Sequence, residues 1–237
     1  KRKTIKRSTL ENVEGVGAAK AKLLLKTFGG LAGVRKASAS ELASVKGIPC
    51  YYIESAARAD GPSLTGRIIE RVHRIRTYCQ YPGWADRRWL YRGSVFDGFQ
   101  PLPAAGRGRP RRAVVSVGTQ RGYPFTRLFE KVVPMLADFD EVLYQSGDAD
   151  VSSLGITGIE SLQHAELQEA IRHADVVITH AGVGAALTAL GVGKHPILVP
   201  RSVAHGEHVD DHQIQVAREL HRRRLATLKS VDSLEPQ

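Results

Sequence analysis

The segment 175–199 constrains the fold more than any other part of the chain. The apolar run Val176–Thr179 predicts a buried strand, and the glycine turn Ala181–Gly184 opens a predicted helix over 183–192. Ile197–Val199 predicts a second short strand. Two strands joined through a helix form a βαβ unit, which indicates a parallel sheet. The turn lies at the helix N-terminus, where free N–H groups and the helix dipole favour phosphate.

The rest of the C-terminal half continues the alternation of strands and helices. The predicted strands are 113–117, 141–145, 159–162, 175–179 and 196–199, and the predicted helices are 125–137, 165–173, 183–192 and 208–223. The pattern predicts an α/β fold, a Rossmann-like doubly wound parallel sheet, whose ligands bind beyond the carboxyl ends of the strands. Gly118-Thr119, His180–Gly184 and Pro200–Gln213 all fall at those ends.

The order of these pieces resembles a known family. A glycine turn, an Ala/Leu helix, a strand ending in Pro200 and the run EHVDDHQ at 207–213 resemble the C-terminal, donor-binding domain of GT-B glycosyltransferases. The similar enzymes make lipid II, exopolysaccharide and dolichol-linked glycans. Val114–Thr119 and Pro124–Leu128 extend the resemblance upstream, so that it covers about residues 113–230.

The resemblance implies a UDP-sugar as donor substrate, with no other cofactor, and a lipid-linked or polysaccharide acceptor of the hexosyl group. It places the diphosphate at Gly182 and its neighbours, the sugar hydroxyls at His212 and Gln213, and the ribose near Thr188, where the lipid II enzymes have a glutamate. The expected donor-binding residues are Gly118, Thr119, His180, Ala181, Gly182, Gly184, Thr188, Asp211, His212 and Gln213. No catalytic base is predicted, because the resembled families carry it in the acceptor domain.

A cluster of metal-ligating residue types invites a second interpretation of the same region. It consists of His205, Glu207, His208, Asp210, Asp211 and His212, with His208 and His212 spaced to share a helix face. GT-B transferases balance the leaving diphosphate with helix dipoles and basic side chains. We therefore expect no metal here.

The first fifty residues indicate a different module. Ser8 and Glu11 form a predicted capping box, and Gly15-Val16-Gly17 separates two short helices, the second over 18–28 and ended by Gly29-Gly30. Residues 8–48 resemble the tandem helix-hairpin-helix of the UvrC excinucleases, a small all-α segment. The resemblance implies weak DNA binding without sequence preference, through phosphate contacts. Its expected contact residues are Gly15, Gly17, Lys20 and Lys22. A DNA-binding repair protein is thus the alternative function.

The second hairpin lacks its last helix, and lysine gives way to arginine after residue 50, so we expect a junction at 48–50. Beyond it, strands are predicted over 51–55 and 76–81, with a helix over 63–72. The run IESAARADGPSLTGR at 53–67 resembles the membrane-associated partner of the split glycosyltransferases. The predicted domains are therefore a helix-hairpin-helix-like segment at 1–48, a remnant of an acceptor-side domain at 51–99, a linker at 100–112 and the nucleotide-sugar-binding domain at 113–237. The resemblance also implies a membrane-associated acceptor-domain partner.

The composition of the chain indicates the kind of protein it is and where it functions. Hydrophobic residues make up 42% of it, enough for a real core, and two cysteines form no metal or disulfide pattern. No apolar run is long enough for a transmembrane helix, and no apolar segment follows the basic start as in a signal peptide. The net charge of +10 is concentrated before residue 113. The arginines and aromatics of 51–112 form either a face for anionic lipid head groups or a solvated surface. We expect a cytoplasmic protein, peripheral on the inner face of the membrane.

Overall fold

The computed structural model describes residues 10, 16–38, 41–42, 45, 49–101 and 108–235. They fall in two compact units, the first within residues 1–55 and 61–92 and the second within 56–60 and 93–237. This division differs from the predicted one, because residues 56–60 and 93–99 group with the C-terminal unit. The predicted junction at 48–50 and the linker at 100–112 lie partly outside the described residues.

The first unit begins with two short helices, α1 (Ala18–Thr27) and α2 (Leu31–Lys36). Ala21 and Leu24 are buried on one face of α1, and Leu24 packs in a cluster with Val34. Gly29 has φ +69°, and the Gly30 N–H donates to the Leu25 carbonyl at 2.8 Å. These features satisfy free carbonyls at the helix end, and they confirm the predicted glycine cap. The predicted capping box at Ser8 and Glu11 lies outside the described residues.

The same unit contains a small parallel sheet. Its elements are β1 (Cys50–Ile53), α3 (Leu64–Ile69), β2 (Ile75–Cys79) and β3 (Trp89–Tyr91), and the strand order is β1-β2-β3. The short β3 was not predicted, and it pairs with β2 at Thr77 opposite Trp89. Cys50 and Cys79 are both free thiols.

Buried polar side chains fix both ends of α3. The Ser63 hydroxyl accepts from the Gly66 N–H at 3.0 Å, which confirms Ser63 as the N-cap. The carboxylate of Glu54, 2% exposed, accepts in turn from the Ser63 N–H at 2.9 Å and the Ser63 hydroxyl at 3.0 Å. At the other end the Arg88 guanidinium donates to four carbonyls, those of Ile69, Glu70, Val72 and Ile75. Arg88 therefore links the end of α3 to the start of β2.

The second unit is the predicted doubly wound sheet. It consists of β4 (Arg112–Ser116), α4 (Thr126–Met135), β5 (Glu141–Gln145), β6 (Gly158–Ile159), α5 (His164–His173), β7 (Val176–His180), α6 (Val183–Gly191), β8 (Ile197–Val199), α7 (His212–Arg222) and β9 (Thr227–Leu228). Each strand pairs in parallel, in the order β6-β5-β4-β7-β8-β9. The α/β fold class is confirmed. Helix α7 begins at His212 rather than 208, and β9 was not predicted.

Helices pack on both faces of this sheet. Val115 and Val117 point into a cluster with Phe125 and Phe129 at α4, whereas Val114 packs with α5 and α6 on the opposite face. Because β4 is covered on both sides, its residues form the continuous apolar run seen in the sequence. None of the helices in the described part of the chain has the length and hydropathy needed to cross a bilayer.

We predict that Arg88→Met lowers the free energy of unfolding of the first unit by roughly 2 kcal/mol, since it removes hydrogen bonds from a charged group, which contribute about 1.5–3 kcal/mol. Trp84 and Trp89 are the two tryptophans of the chain and both lie in this unit, so tryptophan fluorescence during urea unfolding reports on it selectively. The neighbouring Arg87, which is exposed, provides the matched control Arg87→Met. Equal midpoints for the two variants would contradict this role of Arg88.

Candidate functional site

The strand order of the second unit reverses between β4 and β7, which defines a switch point in its sheet. In chain order the strands read 3-2-1-4-5-6, so the connections depart in opposite directions from β4 and β7. At such a switch point the loops after the two strands separate and leave a crevice at their carboxyl ends. Gly118 follows β4, and His180 ends β7 with Gly182 just beyond. The sequence predicted this edge of the sheet correctly.

His180 lies against the backbone at both sides of this crevice. A Cβ on Gly118 would lie 2.8 Å from Cε1 of His180, and a Cβ on Gly182 would lie 2.5 Å from its Nε2. Gly118 also has φ +72°, which favours glycine independently. The structure therefore brings together three of the predicted donor-binding residues, and two of them must be glycine for the imidazole to fit.

The N-terminus of α6 is open at this edge. Gly182 is its N-cap and offers no side-chain hydrogen bond, and the first turn contains no acidic residue. Gly184 is exposed, and a Cβ there would meet nothing within 4 Å. Thr119, on the loop after β4, is exposed as well. Ala181 is fully buried, so only its backbone can serve a ligand. The free N–H groups of this first turn are of the kind that bind anions.

The His180 ring is neutral at pH 7. Burial, the nearby Arg201 guanidinium and His208 lower its pKa to about 4, against an opposing effect of the Ser116 backbone. Its Nδ1 is fully buried and has no hydrogen-bond partner among the described residues. A neutral imidazole beside an anion site takes part as a hydrogen-bonding group and adds no positive charge.

Arg201, which was not predicted from the sequence, ties two loops of the site together. It follows β8, is 3% exposed, and donates to the carbonyls of Val117 at 2.7 Å and Glu207 at 3.3 Å, and to that of Tyr123. Burial lowers the pKa of Arg201 while Asp148 and Glu207 oppose the shift, and an arginine stays charged under such shifts. The loop after β4 and the loop after β8 are thus held by one buried cation.

Glu207, considered above as a metal ligand, has a structural partner. Its carboxylate accepts from Arg127 at 3.1 Å and 3.4 Å and from the Ser202 N–H at 2.9 Å. Glu207 is 3% exposed. A buried carboxylate in a two-bond pair with arginine is held by that pair, because losing one partner would leave an unpaired charge.

The predicted sugar-contacting residues lie at the start of α7. Gln213 is buried, and its Oε1 accepts from the Arg201 N–H at 3.1 Å, which leaves its amide N–H groups for other partners. His212 is half-buried and its Nδ1 contacts the Asp210 carboxylate. Asp211 is exposed and accepts from the Val203 N–H at 3.4 Å. The carboxylate that meets His212 is therefore Asp210, which was not among the predicted donor-binding residues.

Thr188 lies inside α6 and is buried. Its hydroxyl donates to the Gly184 carbonyl one turn earlier, at 2.8 Å. The donor capacity of the hydroxyl is thus used within the helix, and only its acceptor lone pairs remain. Recognition of ribose by Thr188 stays a prediction.

Three of the metal-ligating candidates do come together. One ligand atom each of His208, Asp210 and His212 lies within 4.8 Å of the others, and no other such group occurs among the described residues. The second oxygen of Asp210 accepts from Nη2 of Arg58 at 3.0 Å, so a guanidinium already neutralises the carboxylate. The expectation that no metal binds here stays a prediction.

A groove elsewhere on the second unit is not part of this site. Its volume is about 480 Å³, and it is lined by the first residues of β4 and β5 and by one face of α5. It therefore opens towards the amino ends of the strands, away from the glycine turns. Ligands of parallel sheets bind at the opposite, carboxyl ends.

The predicted DNA contacts lie in the first unit. Gly15 lies outside the described residues. Gly17 is the N-cap of α1, without a side-chain cap, and a Cβ there would meet nothing within 4 Å. Lys22 is exposed, but Lys20 is half-buried.

A doubly wound sheet with an open helix N-terminus at its switch point is an arrangement at which α/β proteins bind nucleotides. Residues 112–235 match the family model of the glycosyltransferase family 28 C-terminal domain. The chain belongs to this family, which confirms the resemblance inferred from the sequence.

Two proteins with similar sequences each match less than a third of the chain. The UDP-N-acetylglucosamine transferase subunit ALG13 of Yarrowia lipolytica is 42% identical over 71 residues, which are 30% of this chain and 33% of that protein. The UvrABC system protein C of Haemophilus influenzae is 52% identical over 72 residues, which are 30% of this chain and 10% of that protein. The chain therefore spans about a third of the first relative and a tenth of the second.

Among solved structures the chain is similar to MurG of Acinetobacter baumannii. The TM-score is 0.60 with 18% sequence identity, and the match covers 92% of this chain and 66% of that one. At this identity the likeness shows a shared fold. It agrees with the GT-B glycosyltransferase fold expected from the sequence.

We predict opposite effects of alanine at two glycines two residues apart. Gly182→Ala should lower the melting temperature of the second unit, because the new Cβ would lie 2.5 Å from the His180 ring. Gly184→Ala should leave it unchanged or raise it, because the Cβ meets open space and alanine favours a helix over glycine by about 1 kcal/mol. Thermal unfolding followed by far-UV circular dichroism measures both. Equal shifts would contradict the packing of His180 against Gly182.

Proposed function

We propose that the second unit binds a UDP-sugar and that the chain takes part in transferring the hexosyl group to a lipid-linked or polysaccharide acceptor. The observation that carries this proposal is the open N-terminus of α6 at the switch point of the sheet, beside Gly118 and His180. Membership of glycosyltransferase family 28 supports it. The similarity to a UDP-N-acetylglucosamine transferase subunit makes UDP-N-acetylglucosamine the first donor to test.

The arrangement suits departure of a nucleoside diphosphate. In the reaction the acceptor oxygen bonds to the anomeric carbon, the bond from that carbon to the diphosphate oxygen breaks, and the acceptor proton passes to a base. Negative charge grows on the leaving diphosphate. The first-turn N–H groups and dipole of α6 would stabilise it, with the buried Arg201 adding a positive potential.

The two predicted sugar contacts offer complementary groups. The Gln213 amide N–H groups donate, since its carbonyl oxygen is used by Arg201. His212 lies next to it in the same turn of α7. Hydroxyl groups both donate and accept, so such a pair can distinguish a sugar from a bare diphosphate.

We also propose that the first unit meets an anionic membrane surface and a membrane-associated acceptor-domain partner. The outer side of α3 exposes Leu64 and Ile68, at 77% and 59%, and Arg67 and Arg71 flank them on the surface. Apolar side chains beside arginines suit the boundary between lipid head groups and acyl chains.

A second candidate function is DNA binding by α1. The similarity to the UvrABC system protein C and the open N-terminus at Gly17 support it. Contact through phosphates would be salt-dependent and independent of sequence. It concerns the first unit and leaves the glycine turns of the second unit unexplained.

We predict that calorimetry with the whole chain detects binding of UDP and of UDP-N-acetylglucosamine. Gln213→Ala should weaken binding of the UDP-sugar by roughly three- to ten-fold, the value of one hydrogen bond, and that of UDP less. Gln168→Ala, which removes the same kind of side chain from α5, is the control because none of the expected donor-binding residues lies on that helix. Equal losses for UDP and the UDP-sugar would contradict the sugar contact. No heat with any UDP-sugar, together with salt-dependent binding of duplex DNA, would favour the second candidate.

For the membrane surface we predict that the chain sediments with vesicles containing phosphatidylserine at low salt and less with neutral vesicles. The double variant Leu64→Ser and Ile68→Ser should reduce this binding several-fold. Ile159→Ser, which removes an exposed apolar residue from the second unit, should not. Equal binding of all three proteins would contradict a role for α3 at the membrane.

A further inference from the structure

We infer that Arg58 and Asp210 form a positioning pair that fixes the tautomer of His212, so that Nε2 of His212 accepts a hydrogen bond from a hydroxyl of the donor sugar. The inference rests on the proposed function and deepens it by assigning a direction to one contact with the sugar. Neither Arg58 nor Asp210 was expected to serve the donor site.

Asp210 bridges the other two side chains. Its Oδ2 accepts from Nη2 of Arg58 at 3.0 Å, and its Oδ1 contacts Nδ1 of His212. The three side chains are partly shielded from water, at 30% exposure for Arg58, 36% for Asp210 and 22% for His212. Partial burial makes each bond stronger than the same bond on an open surface.

The charges decide which atom carries the proton. Burial alone would raise the pKa of Asp210, but His212 and Arg58 outweigh it and lower this pKa below its ordinary value. An ionised carboxylate only accepts hydrogen bonds, so Nδ1 of His212 must be the donor. Burial lowers the pKa of His212, Asp210 opposes the shift, and His208 and Arg58 add to it. A neutral ring with its proton on Nδ1 leaves Nε2 as an acceptor.

Packing holds the imidazole in this orientation. The rings of His208 and His212 meet edge to face with centroids 4.8 Å apart, and the Asp210 N–H donates to Nδ1 of His208 at 3.2 Å. Nε2 of His212 makes no hydrogen bond within the described part of the chain. It can therefore accept from a ligand.

Arg58 comes from a segment that is itself anchored in the second unit. Ala56 is buried in the same apolar cluster as Ala181 and Ala186 of the α6 turn. The Asp60 N–H donates to Oε1 of Gln215 on α7 at 3.4 Å. The segment 56–60 thus holds Arg58 against the start of α7.

The group formed by His208, Asp210 and His212 could also suggest a metal. A metal ion held by Oδ1 of Asp210 and Nδ1 of His212 would have to replace the proton between these two atoms, next to the Arg58 guanidinium on Oδ2. Loss of that proton and repulsion by the guanidinium both weaken metal affinity at these atoms. The observed bonds favour the hydrogen-bonding role.

The test compares Asp210→Asn with Asp138→Asn in the whole chain. The amide that Asp210→Asn introduces can donate its N–H to Nδ1 of His212, which moves the ring proton to Nε2 and turns the acceptor into a donor. Asp138 is exposed, bonds to Arg109 and is not among the expected donor-binding residues, so Asp138→Asn is the control. Long-range ¹H–¹⁵N spectra of the histidine side chains report the tautomer.

We expect wild-type His212 to carry its proton on Nδ1, and His212 in Asp210→Asn to carry it on Nε2. The ratio of UDP-N-acetylglucosamine affinity to UDP affinity should fall about ten-fold in Asp210→Asn, as for loss of one hydrogen bond, and should not change in Asp138→Asn. UDP affinity alone should change less than about two-fold in both variants, because neither substitution alters the first turn of α6.

Three results would overturn the inference. One is a proton on Nε2 of His212 in the wild type, a measurement that needs no variant. Another is a switched tautomer in Asp210→Asn with an unchanged affinity ratio. The third is stoichiometric Zn²⁺ binding to the wild type that Asp210→Asn abolishes. Failure of the proposed function is distinct, since the wild type would then bind neither UDP nor the UDP-sugar.

Discussion

The close approach of the His180 ring to Gly118 and Gly182 is the constraint on which the crevice at the switch point depends. The ring fits only because neither glycine has a Cβ, and the two glycines begin the loops after β4 and β7. The imidazole therefore sets the separation of the two loops at the switch point. With glycine as N-cap, α6 also begins without a side-chain cap, so the free N–H groups there remain available to an anion.

The buried charges around this point organise the loops without entering the anion site. Arg201 binds carbonyls on both sides, and Arg127 pairs with Glu207. Such charges are expensive to bury unless every partner is present, so they favour one arrangement of the loops. The loop after β8 is thus held at its start. This keeps His208 and His212, near the start of α7, in place.

The fold of the second unit could be predicted because its signals are local. Apolar runs between glycine turns predicted β4, β5, β7 and β8 to within a residue or two. The two-residue β9 and three-residue β3 carry no periodic pattern, since their pairing comes from distant strands. The start of α7 was wrong by four residues, because Asp210, which was expected to lie in the helix, bonds instead to Arg58, and the neighbouring Glu207 bonds to Arg127.

The site was predictable in its glycines and less so in its charges. Gly118, His180 and Gly182 could be placed at the carboxyl end of the sheet because the strands that precede them are recognisable from the sequence. Arg201 and Arg58 were missed because their partners, Val117 and Asp210, lie 84 and 152 positions away in the sequence. Asp210 contacts His212 only two positions away, but its bond to Arg58 exists only in the folded chain. Gly15 and the capping box at Ser8 lie outside the described residues, so those predictions stay as they were.

Amide hydrogen exchange of the whole chain, measured with and without UDP, is the sharpest test of the donor site. We expect slower exchange at 183–185 and at 118–119 when UDP is added, because the diphosphate accepts from the first turn of α6. Residues 17–22 should be unchanged. Protection confined to 17–22, or absent from 183–185 at saturating UDP, would contradict the assignment of this turn as the donor site.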